Sequence, residues 1–363
     1  MFGTLTTYDL IMARFQYPGM TIAEAGEASI SEQIGKLMEA HNAMIQSITA
    51  DLAFYTTERF LFYGSGDFTK MIKTDEMGTA KPQKAQVASI VGFPLENYEN
   101  AWQGTRTYFQ RATVSEVVAQ TSAMMDADKR NLIQQIVGAI FSPVNYLFDD
   151  YLVDHLGGSF QIPVKALVNA DGLPIPPGPN GEIFNPATHT HYMTATGFVT
   201  ADLVALKENV LEHYNIGEAT IVIPRSLEAT VRGMAPNFVA MLPANILGPT
   251  TAAQIPDDGL DTVSINNRMI GEFDGIPVWI KPWMPSGYVL CYIRNVNKVV
   301  AVRTDPRTAG GGDLALAFKD ENHPLRAETY ARQFGVGIWE RTGAAVLQPN
   351  TAVAYSPPTQ ILY

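Results

Sequence analysis

The most regular hydrophobic pattern in the chain lies in its middle third, where apolar residues recur at helical intervals. Thr113 and Glu116 stand three residues apart at its start, the spacing of a capping box that begins a helix. The positions that follow on one face are Val114, Val117, Thr121, Met125, Leu132, Ile136 and Ile140. Ser142 and Pro143 end the pattern, because proline interrupts a helix. We therefore predict a helix over residues 114–141, about 40 Å long at ~1.5 Å per residue, which can serve as a spine for other elements.

The chain after residue 200 alternates short helical and strand patterns. A helix is predicted over residues 200–214, and a strand over 219–223 follows it. Ser226 is expected to cap a short helix that ends at Arg232. Further strands are predicted at 276–280, 288–293 and 299–303. This half of the chain is therefore expected to be a mixed α and β body with one compact core.

A long strand is predicted near the end of the chain, over residues 328–341. Side chains of a strand point alternately to its two faces, so every second residue shares a face. The residues on one such face are Tyr330, Arg332, Phe334, Val336 and Ile338. With the spine helix and the patterns between them, this strand indicates an α+β fold.

The first 50 residues contain one predicted helix, from Ser29 or Ser31 to about Ile48. Tyr17-Pro18-Gly19 interrupts any continuation of that helix toward the N-terminus. The first 25 residues are therefore expected to form an arm that needs a partner surface to become ordered.

Residues 54–111, which precede the spine, are rich in Thr, Tyr, Phe, Lys and Gly. Gly64-Ser65-Gly66 and Lys81-Pro82 interrupt the strand-like patterns in this range. The strand-like runs are 60–63, 68–72 and 86–91. We predict an extended two-stranded excursion. Because an isolated hairpin is marginally stable in water, this one is expected to pack on something outside its own domain.

The excursion carries a cluster of charged residues that resembles a nucleic-acid patch only at first sight. The cluster consists of Asp67, Lys70, Lys73, Asp75, Glu76, Lys81 and Lys84. Because acidic residues interrupt the lysines, a solvated face or salt bridges to a neighbouring subunit is the better interpretation. These residues are our candidates for intersubunit contacts.

The charge balance of the whole chain indicates which partners it can bind. The 363 residues include 36 acidic and 25 basic side chains, and the net charge of −11 argues against binding DNA by neutralising phosphates. Only 17% of the residues are charged, whereas 46% are hydrophobic. A low charge density indicates that part of the surface faces other subunits rather than water.

The cysteine content and the absence of targeting signals indicate the cellular compartment in which the protein is expected. The single cysteine, Cys291, excludes an intrachain disulfide. The first residues lack the pattern of a signal peptide, and no apolar run approaches the roughly 18 residues that a membrane span requires. We expect a protein of the cytoplasm without a membrane-spanning segment.

The most metal-like spacing in the chain is His189-x-His191, because two imidazoles on the same face of a strand can share a zinc ion. No nearby cysteine completes a tetrahedral set, and Glu182 and Asp202 are no more than possible third ligands. The pair lies in the Gly/Pro-rich segment 157–197, which is expected to be a turn-rich β insertion or a surface loop. We therefore favour a polar loop over a metal site.

Other potential sites lack the spacing that their chemistry needs. Gly64-Ser65-Gly66 and Gly310-Gly311-Gly312 do not have the spacing of phosphate-binding loops. Ser65 lacks the G-x-S-x-G pattern of a nucleophile elbow, and Cys291 has no histidine beside it in sequence, so a buried thiol is expected. We predict that the chain is not an enzyme and needs no cofactor.

Four stretches follow one another in a characteristic order. They are VSEVVAQTSAMMDADKRNLIQQIVGAIFS (114–142), LKENVLEHYNIGEATIVIPRSLEATVRG (206–233), GEFDGIPVWIKPWMPSGYVLCYIRN (271–295) and AETYARQFGVGIWERTGAAVLQ (327–348). Their order, after an arm and an extended hairpin, resembles the Hong Kong ninety-seven fold of tailed-phage major capsid proteins. None of the four is a catalytic motif, so the likeness lies in their order.

The resemblance implies a domain organisation. It places an N-terminal arm over residues 1–52, an E-loop over 53–111 and an axial domain over 200–320. The peripheral domain, which holds the spine helix, comprises 112–199 and 321–363. In that family the E-loop lies across a neighbouring subunit, and the axial domain lines the centres of hexamers and pentamers.

The resemblance also implies partners and a location. The subunit is expected to assemble with itself into the icosahedral shell of a virion, formed in the host cytoplasm, around double-stranded DNA that it encloses without sequence-specific binding. A portal is expected as a partner, together with a decoration or scaffolding protein where one is used. Because the fold-like sequence starts almost at once, scaffolding is expected to be a separate protein. No membrane partner is expected.

Two alternative functions stay open from the sequence. An encapsulin-like nanocompartment has the same fold and holds a cargo protein instead of DNA. A metal-dependent hydrolase that uses His189 and His191 belongs to a different class and requires stoichiometric metal, a third ligand and a base.

Overall fold

The computed structural model describes residues 19–64, 71–74, 76, 78, 89–150, 160–214, 217–241, 267–294, 296–320 and 325–359. The chain divides into two compact units. The first unit is built from residues within 1–49, 95–134 and 304–335, and the second from residues within 50–94, 135–303 and 336–363. Each unit therefore draws on segments that are far apart in sequence.

Helices and strands alternate irregularly along the described residues. The α-helices are α1 (Ile22–Ala25), α2 (Glu27–Thr49), α3 (Arg106–Arg111), α4 (Val114–Phe141), α5 (Thr200–Leu211) and α6 (Glu228–Arg232). The strands are β1 (Ala53–Thr56), β2 (Phe60–Tyr63), β3 (Ser89–Gly92), β4 (Glu96–Thr105), β5 (Tyr146–Asp149), β6 (Gln161–Val164), β7 (Tyr192–Thr194), β8 (Glu218–Ile223), β9 (Phe238–Ala240), β10 (Arg268–Phe273), β11 (Ile276–Ile280), β12 (Val289–Arg294), β13 (Val300–Thr304), β14 (Ala315–Asp320), β15 (Leu325–Ile338) and β16 (Ala344–Gln348).

The predicted spine helix is confirmed as α4, with the predicted bounds. Its capping box is also present. The Thr113 backbone N–H donates to Glu116 Oε2 at 2.8 Å, and the Glu116 N–H donates to Thr113 Oγ1 at 3.3 Å. These two bonds satisfy N–H groups that a helix start leaves without an intrahelical partner.

In the first unit, the closing strand β15 forms a long ladder. It pairs antiparallel with β4 from Leu325↔Thr105 to Phe334↔Glu96, and β14 pairs with it as well. Tyr330 and Phe334 on the predicted face are buried, as that alternation requires. Residues 96–105, which the sequence places in the excursion, thus pair with the end of the chain.

A hydrophobic cluster and a buried polar network hold the first unit together. The cluster consists of Met38, Met124, Met125, Leu314 and Tyr330. Beside this cluster lies Arg332, whose Nε donates to Asp128 Oδ1 at 2.9 Å and whose Nη2 donates to Asn42 Oδ1 at 2.6 Å. A buried guanidinium requires such partners, because an unpaired buried charge is very costly.

The second unit is organised around a seven-stranded mixed sheet in the order β7-β16-β12-β8-β11-β10-β9. Its central strands are apolar on both faces; β8, for example, is buried from Ala219 to Ile223. Leu203, Leu206 and Val210 of α5 are buried in the same core. The mixed α and β body predicted for this half of the chain is confirmed.

Two details of this unit differ from the sequence predictions. The predicted cap Ser226 is wrong: a 3₁₀ turn over Arg225–Leu227 begins after Pro224, which has φ −73° and ψ 155°. The chain is therefore already turning when it reaches Ser226, and α6 begins only at Glu228. Helix α5 ends at Leu211, and a hydrogen-bonded turn continues from there to Tyr214.

The two-stranded excursion predicted for residues 54–111 contains a hairpin, and the structure describes the part of it that adjoins the rest of the subunit. Strands β2 and β3 pair antiparallel from Phe60↔Gly92 to Tyr63↔Ser89. Most of the predicted run 68–72 lies outside the described residues, and Met71 and Ile72 are exposed without regular structure. Strands β5 and β6 form a second hairpin, and Gly92 approaches it so closely that an added Cβ would lie 3.0 Å from the Pro163 carbonyl oxygen.

Tyr63 attaches the β2–β3 hairpin to the core of the second unit. Its hydroxyl donates to Glu340 Oε1 at 2.9 Å and lies 3.2 Å from Thr342 Oγ1. Burial, reinforced by the nearby Glu340 carboxylate, raises the pKa of Tyr63 well above its ordinary value, so the phenol stays protonated and donates.

Replacing Tyr63 with Phe is expected to lower the free energy of unfolding by about 1–2 kcal/mol, because the ring still packs but one buried hydrogen bond to a carboxylate is lost. Urea denaturation followed by circular dichroism measures the change. Glu340 keeps Asn297 Nδ2 as a donor at 3.0 Å, so the cost stays below that of an unpaired buried charge. An unchanged denaturation midpoint would show that this hydroxyl contributes nothing to the attachment.

Candidate intersubunit surface and histidine cluster

Of the seven charged residues predicted to make intersubunit contacts, two lie among the described residues. Lys73 and Glu76 are both exposed. The other five, Asp67, Lys70, Asp75, Lys81 and Lys84, lie outside the described ranges. The role of this charged cluster stays a prediction.

The β2–β3 hairpin has one buried and one exposed face. Tyr63 and Val91 point inward and are buried, in a cluster with Phe93 and Ala301. Phe62 and Ile90 stand directly opposite each other in the register, and their exposed fractions are 54% and 41%. An apolar cross-strand pair on a solvent-facing surface is unusual, because such pairs normally contribute by burying area against a neighbour.

Aromatic residues extend this exposed face onto the second hairpin. The Phe60 ring lies 6.0 Å from the Phe62 ring and 6.5 Å from that of Phe160, with which it is stacked. The Arg59 guanidinium lies over the Phe160 ring at 5.4 Å from its centre. We call Phe60, Phe62, Ile90 and Phe160 the hairpin surface.

The predicted histidine pair is joined by a third histidine that the sequence analysis missed. The Nε2 atoms of His189 and His191 lie 3.2 Å apart, and His213 Nε2 lies 3.1 Å from the first and 3.2 Å from the second. We call these three residues the histidine cluster. Helix α5 brings them together, since it separates the pair from His213 in sequence and ends next to them in space.

The two acidic residues considered as third ligands are engaged elsewhere. The Glu182 carboxylate accepts hydrogen bonds from Asn180, and Asp202 Oδ2 accepts the Val199 N–H at the start of α5. Neither of these carboxylates is a partner of the histidine pair in the structure. A usable signal was present, because half of the six histidines in the chain fall between residues 189 and 213.

Two imidazoles of the histidine cluster, those of His189 and His213, are half-buried, and that of His191 is buried. Burial lowers the pKa of all three, that of His191 well below its ordinary value and that of His213 to about 3. All three are therefore neutral at neutral pH. The Phe184 ring packs on His189 and His213, with ring centres 5.0 Å and 4.2 Å away.

The remaining candidate for reactive chemistry, Cys291, is buried in the middle of β12. Burial raises the pKa of its thiol to about 12, so it is protonated and unreactive at neutral pH. The prediction of a buried thiol is confirmed. Within the described ranges, no helix is both long enough and apolar enough to cross a membrane.

The comparisons with known proteins concern the fold. No protein-family model and no curated protein matches the sequence. The structure is similar to that of a chain from Mycobacterium phage Patience, with a TM-score of 0.67 and 18% sequence identity over 99% of this chain and 96% of that chain.

Two weaker likenesses have TM-scores below 0.5. One is to the capsid of an empty GTA particle, with a TM-score of 0.48 and 12% identity over 85% of this chain and 90% of that chain. The other is to an encapsulin complex from Synechococcus elongatus, with a TM-score of 0.43 and 10% identity over 86% and 89%. The likeness to the Patience phage chain spans nearly the whole of both chains, so the two chains share a fold, and the predicted α+β class is confirmed.

Proposed function

We propose that this chain is the major capsid subunit of a tailed phage, and that it assembles with itself into hexamers and pentamers of an icosahedral shell around the packaged genome. The observation that carries the proposal is the likeness to a phage chain over nearly the full length of both proteins. A match that leaves no large part of either chain unaccounted for supports a shared role better than one shared domain does, although fold alone never determines function.

The hairpin surface supports self-association. Phe62, Ile90 and Phe160 of this surface are exposed in the isolated subunit and Phe60 is half-buried. On the other face, Tyr63 and Val91 keep the hairpin attached to its own unit. We assign the surface to a second copy of the chain, as expected of the E-loop. Symmetric shells repeat one such contact many times, so a modest patch suffices.

The same proposal assigns a role to each segment of the chain. Residues 1–52 act as the arm, 53–111 as the E-loop and 200–320 as the axial domain, and the remaining segments form the peripheral domain. The net charge of −11 is compatible with a shell that encloses DNA without binding its phosphates tightly. A portal and, where used, a separate scaffolding or decoration protein are the proposed partners. Assembly in the host cytoplasm and residence in the virion follow from this role.

The purified chain is expected to pass sharply from small oligomers to large particles as its concentration rises, because each contact is weak alone and rings reinforce it. Static light scattering over a dilution series measures this threshold, with and without a scaffolding protein. A chain that stays monomeric at high concentration under both conditions would contradict the proposal. Particles that enclose a protein cargo instead of DNA would favour the encapsulin-like alternative.

A further inference from the structure

The three Nε2 atoms of the histidine cluster make more mutual contacts than hydrogen bonds can explain. An imidazole nitrogen has one in-plane position, which holds either a proton or a lone pair, so it makes one linear hydrogen bond. In this cluster every Nε2 lies 3.1–3.2 Å from two others. Because each nitrogen is either a donor or an acceptor, at least one of the three contacts brings two lone pairs or two N–H groups together, and a cation bound by three lone pairs at their common centre removes that repulsion.

The dimensions of this triangle suit a transition-metal ion. An ion placed 2.0–2.1 Å from each nitrogen, the usual zinc–imidazole distance, would lie roughly 1 Å out of the plane of the three atoms. The angles between ligands would then be about 100°, close to tetrahedral. The ligand atoms therefore already have the arrangement that a four-coordinate ion requires.

A backbone carbonyl group fixes the orientation of one of the three imidazoles. His191 Nδ1 lies 2.7 Å from the Ala344 carbonyl oxygen, and this oxygen can only accept, so the proton of neutral His191 is on Nδ1. Its Nε2 consequently presents a lone pair to the cluster. Metal-binding histidines typically have a partner of this kind on their other nitrogen.

An acidic side chain lies beside two of the three nitrogens. Glu212 Oε1 lies 3.5 Å from His189 Nε2 and 3.9 Å from His213 Nε2, and its side chain is 37% exposed. These distances place the carboxylate within a small side-chain movement of a fourth coordination position. Three imidazoles and one carboxylate would fill all four positions of a tetrahedral zinc ion and leave none open for a substrate.

We propose that His189, His191 and His213, with Glu212 as fourth ligand, bind one zinc ion that fastens the Gly/Pro-rich segment 157–197 to the end of helix α5. Imidazole ligands favour zinc and related transition metals over magnesium and calcium, which prefer oxygen. This inference does not depend on the proposed shell function.

The ion would add a cross-link to a segment that hydrogen bonds already order. Between Val164 and Tyr192 the segment has no regular strand, and its backbone bonds include His191 N–H to Val168 O at 2.8 Å and Ala170 N–H to His189 O at 3.0 Å. An ion bound to residues 189, 191 and 213 joins this segment to the end of α5 and stabilises both.

Zinc binding to the full-length chain tests the proposal directly. The protein is stripped with a chelator, the chelator is removed, and zinc is added while bound metal is counted by elemental analysis. We expect one zinc ion per chain and, at zinc a hundredfold above the dissociation constant, a rise in melting temperature of about 3–4 °C for a chain of 363 residues. Failure to bind zinc in the micromolar range would overturn the proposal.

Variants identify the ligands. Replacing His213 with Gln or His191 with Gln is expected to weaken zinc binding more than the roughly 10–100-fold that loss of a second-shell partner costs. Glu182→Gln is the matched control, because it removes an acidic group of the same segment whose carboxylate is bonded to Asn180; its affinity should equal that of the parent. Equal affinity in the His213 variant would overturn the assignment.

A spectroscopic measurement on the unaltered chain covers the case in which a variant fails to fold. Cobalt(II) added to the stripped protein is expected to give the intense visible absorption of a four-coordinate ion, and zinc should displace it in a one-to-one titration. The weak absorption of a six-coordinate ion, as produced by scattered surface ligands, would contradict the proposed site.

Discussion

Replacing Phe62 with Glu and Ile90 with Lys is expected to abolish shell formation and leave a folded subunit. The two residues are opposite each other in the hairpin and exposed, so opposite charges at these positions cost the isolated subunit little or even attract each other. In the shell, the same charges would have to be desolvated against the apolar surface of a neighbour. Loss of an interface hot spot costs about 2 kcal/mol or more for each contact, and the loss recurs at every repeated contact.

The measurement pairs an assembly assay with a folding assay. Light scattering should show no particles from the double variant at concentrations at which the parent assembles, whereas its circular dichroism spectrum and cooperative melt should match the parent. Phe62→Tyr with Ile90→Val is the control, since both substitutions keep the shape and apolar character of the pair. Normal assembly of the charged variant would show that the hairpin surface does not contact another subunit.

Replacing Asp128 with Ala is expected to lower the free energy of unfolding by about 3–5 kcal/mol, which is a large part of the stability of a typical protein. The Asp128 carboxylate accepts from Arg332 Nε at 2.9 Å and lies 2.8 Å from His41 Nε2, and all three side chains are buried. Removing it leaves the guanidinium of Arg332 buried with two neutral partners, Asn42 and the Gly312 carbonyl group.

Urea denaturation of the variant measures this loss, and Asp126→Ala is the matched control. Asp126 is on the same helix, two residues away, and is exposed, so its removal should change stability by no more than about 0.5 kcal/mol. Asp128→Asn, which keeps the shape and removes the charge, should fall between the two. If Asp128→Ala were no more destabilising than the control, the buried network would not be what stabilises the first unit.

Elements with a local signal could be predicted from the sequence. The spine helix was predicted with its observed bounds because Thr113, Glu116 and Pro143 mark its two ends within the sequence itself. The alternation from Tyr330 to Ile338 likewise identified the buried face of the closing strand, including Arg332. Capping residues and a two-residue alternation can be recognised from neighbouring positions alone, without knowing the rest of the fold.

Features whose decisive partner is distant could not be predicted in this way. The pairing of β4 with β15 joins residues more than 200 positions apart, and no local pattern in residues 96–105 indicates it. His213 was missed for the same reason, because the histidine pair was compared only with acidic residues in its own neighbourhood. The cap assigned to Ser226 failed because Pro224 starts the turn two residues earlier.

Negative-stain electron microscopy of the purified chain above its assembly threshold tests the central claim, a self-assembling shell subunit, most directly. We expect closed, roughly spherical particles of uniform size from the parent, and from the Phe62→Glu, Ile90→Lys variant only unassembled subunits or small oligomers. A field that contains only small, separate molecules of the parent at every concentration, with and without a scaffolding protein, would contradict the account.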